Sequence, residues 1–361
     1  MRQKKRILVC PLDWGLGHAT RCIPIIQLLL QKDAEVLIAG SGRSLLLLKQ
    51  EFPQLEFIDL PGYEITYAKG SLALQLFFSI PKILKGIKKE HELLEEVIHQ
   101  KKIDIVISDN RFGLWSNQIK TVFITHQLLI KSPLGEYVLH RINLNYIKKH
   151  TTCWIPDFED EPNLSGDLTH TYALPENAVF IGPLSRFSSA LPVASSTIIL
   201  KKAYDVLVII SGPEPQRSIF EELILKQAAT LPLNFLLVRG VTEKAAILER
   251  KGNIDSVSHL PSSEIKTVIE SAGIVVSRSG YSTLMDLVVL RKRAIFVPTP
   301  GQTEQEYLAE RCLKNGTAYF EHQSEFDLKR ALEKGKDYKG FEKPVADIFL
   351  KLQQQLELLL K

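Results

Sequence analysis

The segment Asp13-Trp14-Gly15-Leu16-Gly17-His18-Ala19-Thr20-Arg21 sets an imidazole and a guanidinium beside two glycines. Glycine lets a backbone approach a ligand closely. Histidine titrates near neutrality, so it can take a proton from a hydroxyl or from water. His18 is therefore a candidate general base, and Asp13 could orient it or act as the base itself. A histidine that only binds the acceptor or caps a helix, and an aspartate that only shapes a turn, are the competing readings. Gly15, Gly17 and Arg21 are candidate contacts for the molecule that loses the proton. No third glycine follows at the spacing of the dinucleotide fingerprint, so a dinucleotide is not expected.

The same design recurs downstream. Ser277-Arg278-Ser279-Gly280-Tyr281-Ser282-Thr283 follows an apolar run and precedes an apolar helical pattern that carries Asp286. Pro298-Thr299-Pro300-Gly301-Gln302-Thr303-Glu304-Gln305 follows another apolar run, and Ser211-Gly212-Pro213-Glu214-Pro215-Gln216-Arg217 follows a third. Hydroxyls, small residues and arginines at helix starts suit a diphosphate, and a carboxylate further along the helix suits a ribose diol. The expected donor contacts are Ser211, Gly212, Arg217, Arg278, Ser279, Gly280, Tyr281, Ser282, Asp286, Gln302, Glu304 and Gln305. Asp109 and His126 each follow an apolar run in the first half, which makes them candidates for the acceptor side.

These loops need strands to deliver them and helices to receive them. Apolar runs alternate with helical patterns along the whole chain, the signature of parallel sheets with helices on both faces. The first half offers strands at Ile7–Cys10, Val36–Ala39, Leu55–Asp59, Ile103–Ser108, Val122–Thr125 and Cys153–Pro156. The second offers Asp205–Ile210, Phe235–Val238, Val257–Leu260, Ile274–Val276, Ile295–Val297 and Thr317–Phe320. A Ser/Ala/Pro-rich stretch over 187–200 reads as a linker between domains at 1–186 and 201–361. The last helix of the chain could pack back on the first domain.

The chain has 361 residues, 45% of them hydrophobic, enough for two globular domains. A net charge of only +4 gives no reason to expect nucleic acid. The four cysteines are scattered, so neither disulfides nor a zinc site is expected. The acidic group Asp157, Glu159, Asp160 and Glu161 reads as solvated surface, and no metal site is expected. No apolar run is long enough to span a bilayer, which makes a cytoplasmic protein the expectation. Residues 72–89 combine Leu74, Leu76, Phe77, Phe78, Ile80 and Ile83 with Lys82, Lys85, Lys88 and Lys89. That stretch could touch an anionic membrane surface, or it could be a core-packed helix with a basic end.

With these residues laid out, the chain resembles the GT-B glycosyltransferases, and most closely family 28, the type that includes the peptidoglycan N-acetylglucosaminyltransferases. Ser277-Arg278-Ser279-Gly280 with Asp286 is similar to that family's donor motif, and Phe296-Val297-Pro298 with Gln305-Glu306-Tyr307 to its second donor segment. Leu308 and Ala309 stand where the family has an asparagine. Gly15-x-Gly17-His18-x-x-Arg21 is similar both to the family-28 glycine loop and to a nucleotide-sugar hydrolase of pseudaminic acid synthesis. The resemblance implies two doubly wound Rossmann-like domains facing across a cleft. It also implies inverting, metal-independent transfer of a sugar from a UDP-linked donor to an acceptor, with no cofactor beyond the nucleotide-sugar substrate. The acceptor could be lipid-linked, with the protein peripheral on the inner membrane face. Hydrolysis of the nucleotide-sugar through His18, and binding without catalysis, are the alternatives.

Overall fold

The computed structural model describes residues 4–62, 72–131, 136–187, 203–341 and 349–361, with side chains from residue 82 onward in the long helix that begins at Leu72. The chain divides into two compact units. The first comprises Met1–Leu184 with Asp347–Lys361, and the second Ser185–Ala346.

The first unit alternates strand and helix: β1 (Arg6–Pro11), α1 (Leu16–Gln31), β2 (Glu35–Gly40), α2 (Gly42–Glu51), β3 (Glu56–Asp59) and α3 (Leu72–Lys101). It continues with β4 (Ile105–Asp109), β5 (Lys120–Ile124), α4 (Glu136–Ile147), β6 (Thr152–Ile155), α5 (Asp167–His170) and β7 (Ala178–Phe180). All seven strands pair in parallel, in the order β3-β2-β1-β4-β5-β6-β7. Both faces of such a sheet are covered, so its strands read as unbroken apolar runs. Ile7, Leu8, Val9 and Cys10 are fully buried, as are Val106 and Ile107. Leu94 and Ile98 of α3 pack against Leu8, Leu37 and Val106 on one face.

The second unit runs β8 (Val206–Ile209), α6 (Gln216–Ala228), β9 (Phe235–Val238), β10 (Leu248–Lys251), β11 (Ile254–Val257), α7 (Ser262–Ser271) and β12 (Ile274–Ser277). After these come α8 (Tyr281–Leu290), β13 (Ala294–Phe296), α9 (Thr303–Lys314), β14 (Tyr319–Phe320) and α10 (Leu328–Lys334). Its sheet has the order β10-β11-β9-β8-β12-β13-β14, parallel except where β10 pairs antiparallel with β11. The antiparallel hairpin was not anticipated from the sequence. Glu249, Arg250 and Lys251 are exposed, so β10 carries no apolar run to betray it.

The last helix, α11 (Leu350–Leu360), belongs to the first unit rather than to the C-terminal half. Leu352, Leu356 and Leu359 recur at helical spacing and are buried. Around that stripe Lys32 reaches Glu357 at 2.8 Å, Lys351 reaches Glu159 at 2.6 Å, and Lys120 Nζ donates to the Leu359 carbonyl at 3.0 Å. The linker expected over 187–200 lies, apart from Phe187, outside the described residues.

In each sheet the chain order reverses beside one strand, between β1 and β4 in the first and between β8 and β12 in the second. Loops leaving the carboxyl ends of strands at such a reversal splay apart and leave room for a ligand. The Asp13–Gly17 turn follows β1 and Asp109 ends β4, while Ser211–Pro215 follows β8 and Arg278–Gly280 follows β12. Among the described residues no helix is long and apolar enough to cross a membrane.

Candidate active site

Pairing register explains how the first cluster assembles. Pro11 at the end of β1 lies opposite Asp109, and Asp109 in turn lies opposite Ile124 of β5. The Leu12 amide then donates to the Asp109 carbonyl at 3.1 Å, seating the β1–α1 turn directly over that aspartate. His18 and Arg21, three residues apart, share one face of α1. His126 follows β5 by two residues. Four side chains that are distant in sequence are thereby set around one point.

Arg21 holds Asp109 with both arms of its guanidinium. Nε donates to Oδ2 at 2.6 Å, and Nη2 donates to Oδ1. His18 Nδ1 lies 3.3 Å from Asp109 Oδ1 and 2.9 Å from Arg21 Nη2, and His126 Nδ1 lies 3.1 Å from Arg21 Nη1. Asp109 is fully buried and Arg21 is 1% exposed, whereas the His18 side chain keeps 20% of its surface. Burial works against the charged carboxylate of Asp109, but the neighbouring Arg21 and His18 outweigh it and bring its pKa down to about 2.

This arrangement revises two expectations. Asp109 and Arg21 satisfy each other inside the fold, so neither reaches a substrate as an acceptor-side contact would. Asp13 does not orient His18: its Oδ2 accepts from Ser41 Oγ at 2.6 Å, and a side chain on Gly62 would stand 2.9 Å from its Oδ1. The partner that faces His18 is Asp109. Gly15 caps α1 in an extended conformation, and Gly17 sits in the helix's first turn with its carbonyl accepting from Thr20 Oγ1 at 2.9 Å.

The second cluster corrects the expectation that arginines hold the diphosphate. Arg278 is 1% exposed and donates to the carbonyls of Val297 at 2.8 Å, Pro298 at 3.1 Å and Gln216 at 3.1 Å, and to Gln323 Oε1 at 2.6 Å. Its guanidinium lies 4.2 Å above the Phe220 ring, and burial lowers its pKa to about 10. Arg217 is likewise spent internally, on Glu214 at 2.5 Å, Glu221 at 2.5 Å and Ser218 Oγ at 2.7 Å. Among the predicted phosphate contacts this leaves backbone and hydroxyls. Gly212 turns with φ of +108°, a conformation that favours glycine, and a side chain there would lie 3.5 Å from Thr299 Oγ1. Gly280 caps α8, so the positive end of that helix lies at Tyr281 and Ser282. Ser279 is buried, its Oγ donating to the Gln305 carbonyl at 2.7 Å.

Asp286, 8% exposed, accepts from Ser185 Oγ at 2.6 Å, and its Oδ2 lies 3.5 Å from Arg186 Nε. Burial raises its pKa while Arg186 and Ser185 pull it back. Ser185 and Arg186 were missed by the sequence reading. Arg186 follows Gly182-Pro183-Leu184-Ser185, and no local pattern ties that stretch to a helix a hundred residues away. Gln305 Oε1 accepts from the Thr299 amide at 2.9 Å, and its Nε2 donates to Gln302 Oε1 at 2.5 Å. Gln302 caps α9, and Glu304 lies in that helix's first turn. Asp157 is another correction. Far from solvated, it is fully buried and accepts from the amides of Phe158, Leu164 and Ser165 at 2.7–2.9 Å. Among the described residues no three or more His, Cys, Asp or Glu side chains gather as metal ligands would.

Comparison with known proteins agrees with this layout. Residues 206–354 match the glycosyltransferase family 28 C-terminal domain. The UDP-N-acetylglucosamine--N-acetylmuramyl-(pentapeptide) pyrophosphoryl-undecaprenol N-acetylglucosamine transferase of Listeria welshimeri is 24% identical over 316 residues, covering 84% of this chain and 82% of the relative. An uncharacterized glycosyltransferase of Methanopyrus kandleri is 27% identical over 326 residues, 83% of this chain and 88% of its own. The glycosyltransferase SnogD from Streptomyces nogalater superposes with a TM-score of 0.62 at 13% identity, over 99% of this chain and all of that one. The chain is a GT-B glycosyltransferase. Its C-terminal half resembles family 28 over the whole second sheet.

The enzyme's Asp109 makes a prediction about its stability. The folded pKa of about 2 lies below the ordinary 3.8, so the stabilisation is complete above pH ~4 and is lost as pH falls through 2. The difference is worth about 2 kcal/mol. Asp109→Asn leaves the buried Arg21 uncompensated and should cost about 3–5 kcal/mol at neutral pH, with a flatter acid limb. Trp14, Trp115 and Trp154 all lie in the first unit, so denaturant unfolding followed by tryptophan fluorescence reads it selectively. Equal stability of wild type and variant at neutral pH would contradict the assignment.

Proposed function

We propose that the enzyme moves a glycosyl group from a UDP-linked sugar to an acceptor hydroxyl, with inversion at the anomeric carbon. The observation that carries this reading is the contact of His18 with buried Asp109 at the β1–β4 reversal. When Nδ1–H donates to that carboxylate, His18 Nε2 holds a lone pair and can take the acceptor's proton. The hydroxyl oxygen then bonds to the anomeric carbon as the bond to the diphosphate breaks, and the electron pair leaves with the diphosphate.

The donor belongs to the second unit. The α8 N-terminus and the Ser211-Gly212 turn stabilise the diphosphate charge, and Asp286 takes the ribose diol. Gln302, Glu304 and Gln305 form the neighbouring α9 entrance and contact the transferred sugar. The acceptor meets the first unit through the Gly15–Gly17 turn, His18 and His126. The Listeria relative's name specifies a pyrophosphoryl-undecaprenol acceptor, which supports a lipid-linked acceptor here as well. Lys82, Lys85, Lys88 and Lys89 stand exposed along α3 beside Leu84, which is 42% exposed, and these suit an anionic membrane surface. Of the apolar residues expected to join them, Ile83 is half-buried, and the others lie before residue 82, outside the described side chains.

Incubation with a panel of UDP-sugars, with and without membrane lipid extract, tests the reaction. Acceptor-dependent UDP release is expected, and His18→Ala should lower kcat by roughly 10²–10⁴ with little change in UDP affinity. Stoichiometric free sugar without any acceptor would instead make the enzyme a hydrolase, and binding without turnover would make it a carrier of the nucleotide. Sedimentation with anionic vesicles tests the surface. Binding that salt weakens is expected, at about 1 kcal/mol per engaged lysine. A protein that stays in the supernatant at low salt would remove the membrane contact.

A further inference from the structure

Arg21 touches more than its counter-ion. Nη2 lies 2.9 Å from His18 Nδ1 and Nη1 lies 3.1 Å from His126 Nδ1, while Nε and Nη2 hold Asp109. A guanidinium has hydrogens to donate and no lone pair to accept with. A ring nitrogen at hydrogen-bond distance from it must present a lone pair, which places the proton of the neutral ring on Nε2. For His126 the tautomer follows at once. For His18, Asp109 Oδ1 at 3.3 Å offers the opposite choice, with Nδ1–H donating to the carboxylate and the lone pair on Nε2.

We propose that Arg21 is a positioning residue that sets the basicity of His18 and fixes His126 as an Nε2–H donor on the acceptor side. The inference deepens the reading of His18 as general base and rests on it. A lone buried carboxylate beside an imidazole would stabilise the imidazolium strongly and hold it protonated at neutral pH. Arg21 engages both oxygens of Asp109 and brings a positive charge to the same ring nitrogen. Both effects oppose the pull of the carboxylate toward the imidazolium. When Nε2 takes the acceptor's proton, Nδ1 must already carry its own, and Asp109 Oδ1 is there to receive that N–H. The same carboxylate and guanidinium thus restrain the base before transfer and support it afterwards. The groups facing this pair are Arg21 and Cys22 from α1, Asp109 from β4 and His126 from the loop after β5. Cys22 Sγ lies 3.8 Å from Asp109 Oδ2, and burial keeps its thiol protonated.

Nitrogen-15 spectra of ring-labelled histidine in the full chain read tautomer and titration without any substrate. Arg21→Gln should raise the His18 midpoint by about one unit or more, since Asp109 then acts on it alone. The acid limb of kcat/KM should move upward by the same amount. His126 should lose its enforced Nε2–H tautomer. Because Arg21→Gln leaves Asp109 buried without a cation, two companions keep the test decisive. Arg21→Lys should hold the His18 midpoint near wild type yet release the His126 tautomer, since one ammonium cannot span three partners. The double variant Arg21→Gln with Asp109→Asn buries no charge and should bring the His18 midpoint back below that of the single variant. A His18 midpoint and His126 tautomer unchanged across these variants would overturn the proposal. The reaction assignment fails separately, through absence of UDP release.

Discussion

A guanidinium cannot be carried into a protein interior unless its charge and its N–H groups are satisfied there, because desolvating it alone costs several kcal/mol. Three arginines stand at the loops where ligands bind this fold; Arg21 and Arg217 meet that constraint with carboxylates, whereas Arg278 meets it only in part, its Nη atoms bonded and its buried Nε without a hydrogen-bond partner among the described residues. Arg21 is held by Asp109, Arg217 by Glu214 and Glu221, and Arg278 by three carbonyls, Gln323 and the face of Phe220. What remains for the ligand is decided by this accounting. Cations that looked available in sequence are structural ties, and the groups left to meet a diphosphate are amides, hydroxyls and a helix end.

The two units use the constraint differently. In the second, Arg278 ties the end of β12 to the segment after β13 and to the start of α6, which keeps the loops around the Gly212 turn in register. In the proposed reading, diphosphate binding then falls to oriented dipoles, which are fixed in place before the ligand arrives and need little rearrangement. In the first unit the buried pair lies under a half-exposed turn, and its remaining donors reach two imidazoles. A tie that is purely structural elsewhere becomes a means of tuning a base.

Much of the fold was legible in the sequence because buried parallel strands must be apolar throughout. Ile7–Cys10, Val36–Ala39 and Phe235–Val238 show this directly, and their alternation with helices implied the doubly wound layout. β10 was invisible because an exposed edge strand such as Leu-Glu-Arg-Lys has no apolar pattern to read. The last helix showed its apolar stripe, but the unit it covers is set by partners far away in sequence, among them Lys32, Lys120 and Glu159. In the site, His18 and Arg21 were readable from a shared helical face. Their partner was not, because the choice of Asp109 over Asp13 depends on the pairing of Pro11 with Asp109 across the sheet. The fate of Arg217 was half legible, since Glu214 and Glu221 sit three residues before and four after it. That of Arg278 was not, since its acceptors are backbone carbonyls.

The measurement that bears most directly on this account is a crystal structure of the enzyme with UDP bound. The diphosphate is expected on the amides at the start of α8 and at the Ser211-Gly212 turn, with Arg217 still on its two glutamates and Arg278 still on its carbonyls. A structure in which either guanidinium has left those partners to grip the diphosphate, or in which the nucleotide lies on the Gly15–Gly17 turn of the first unit, would contradict it.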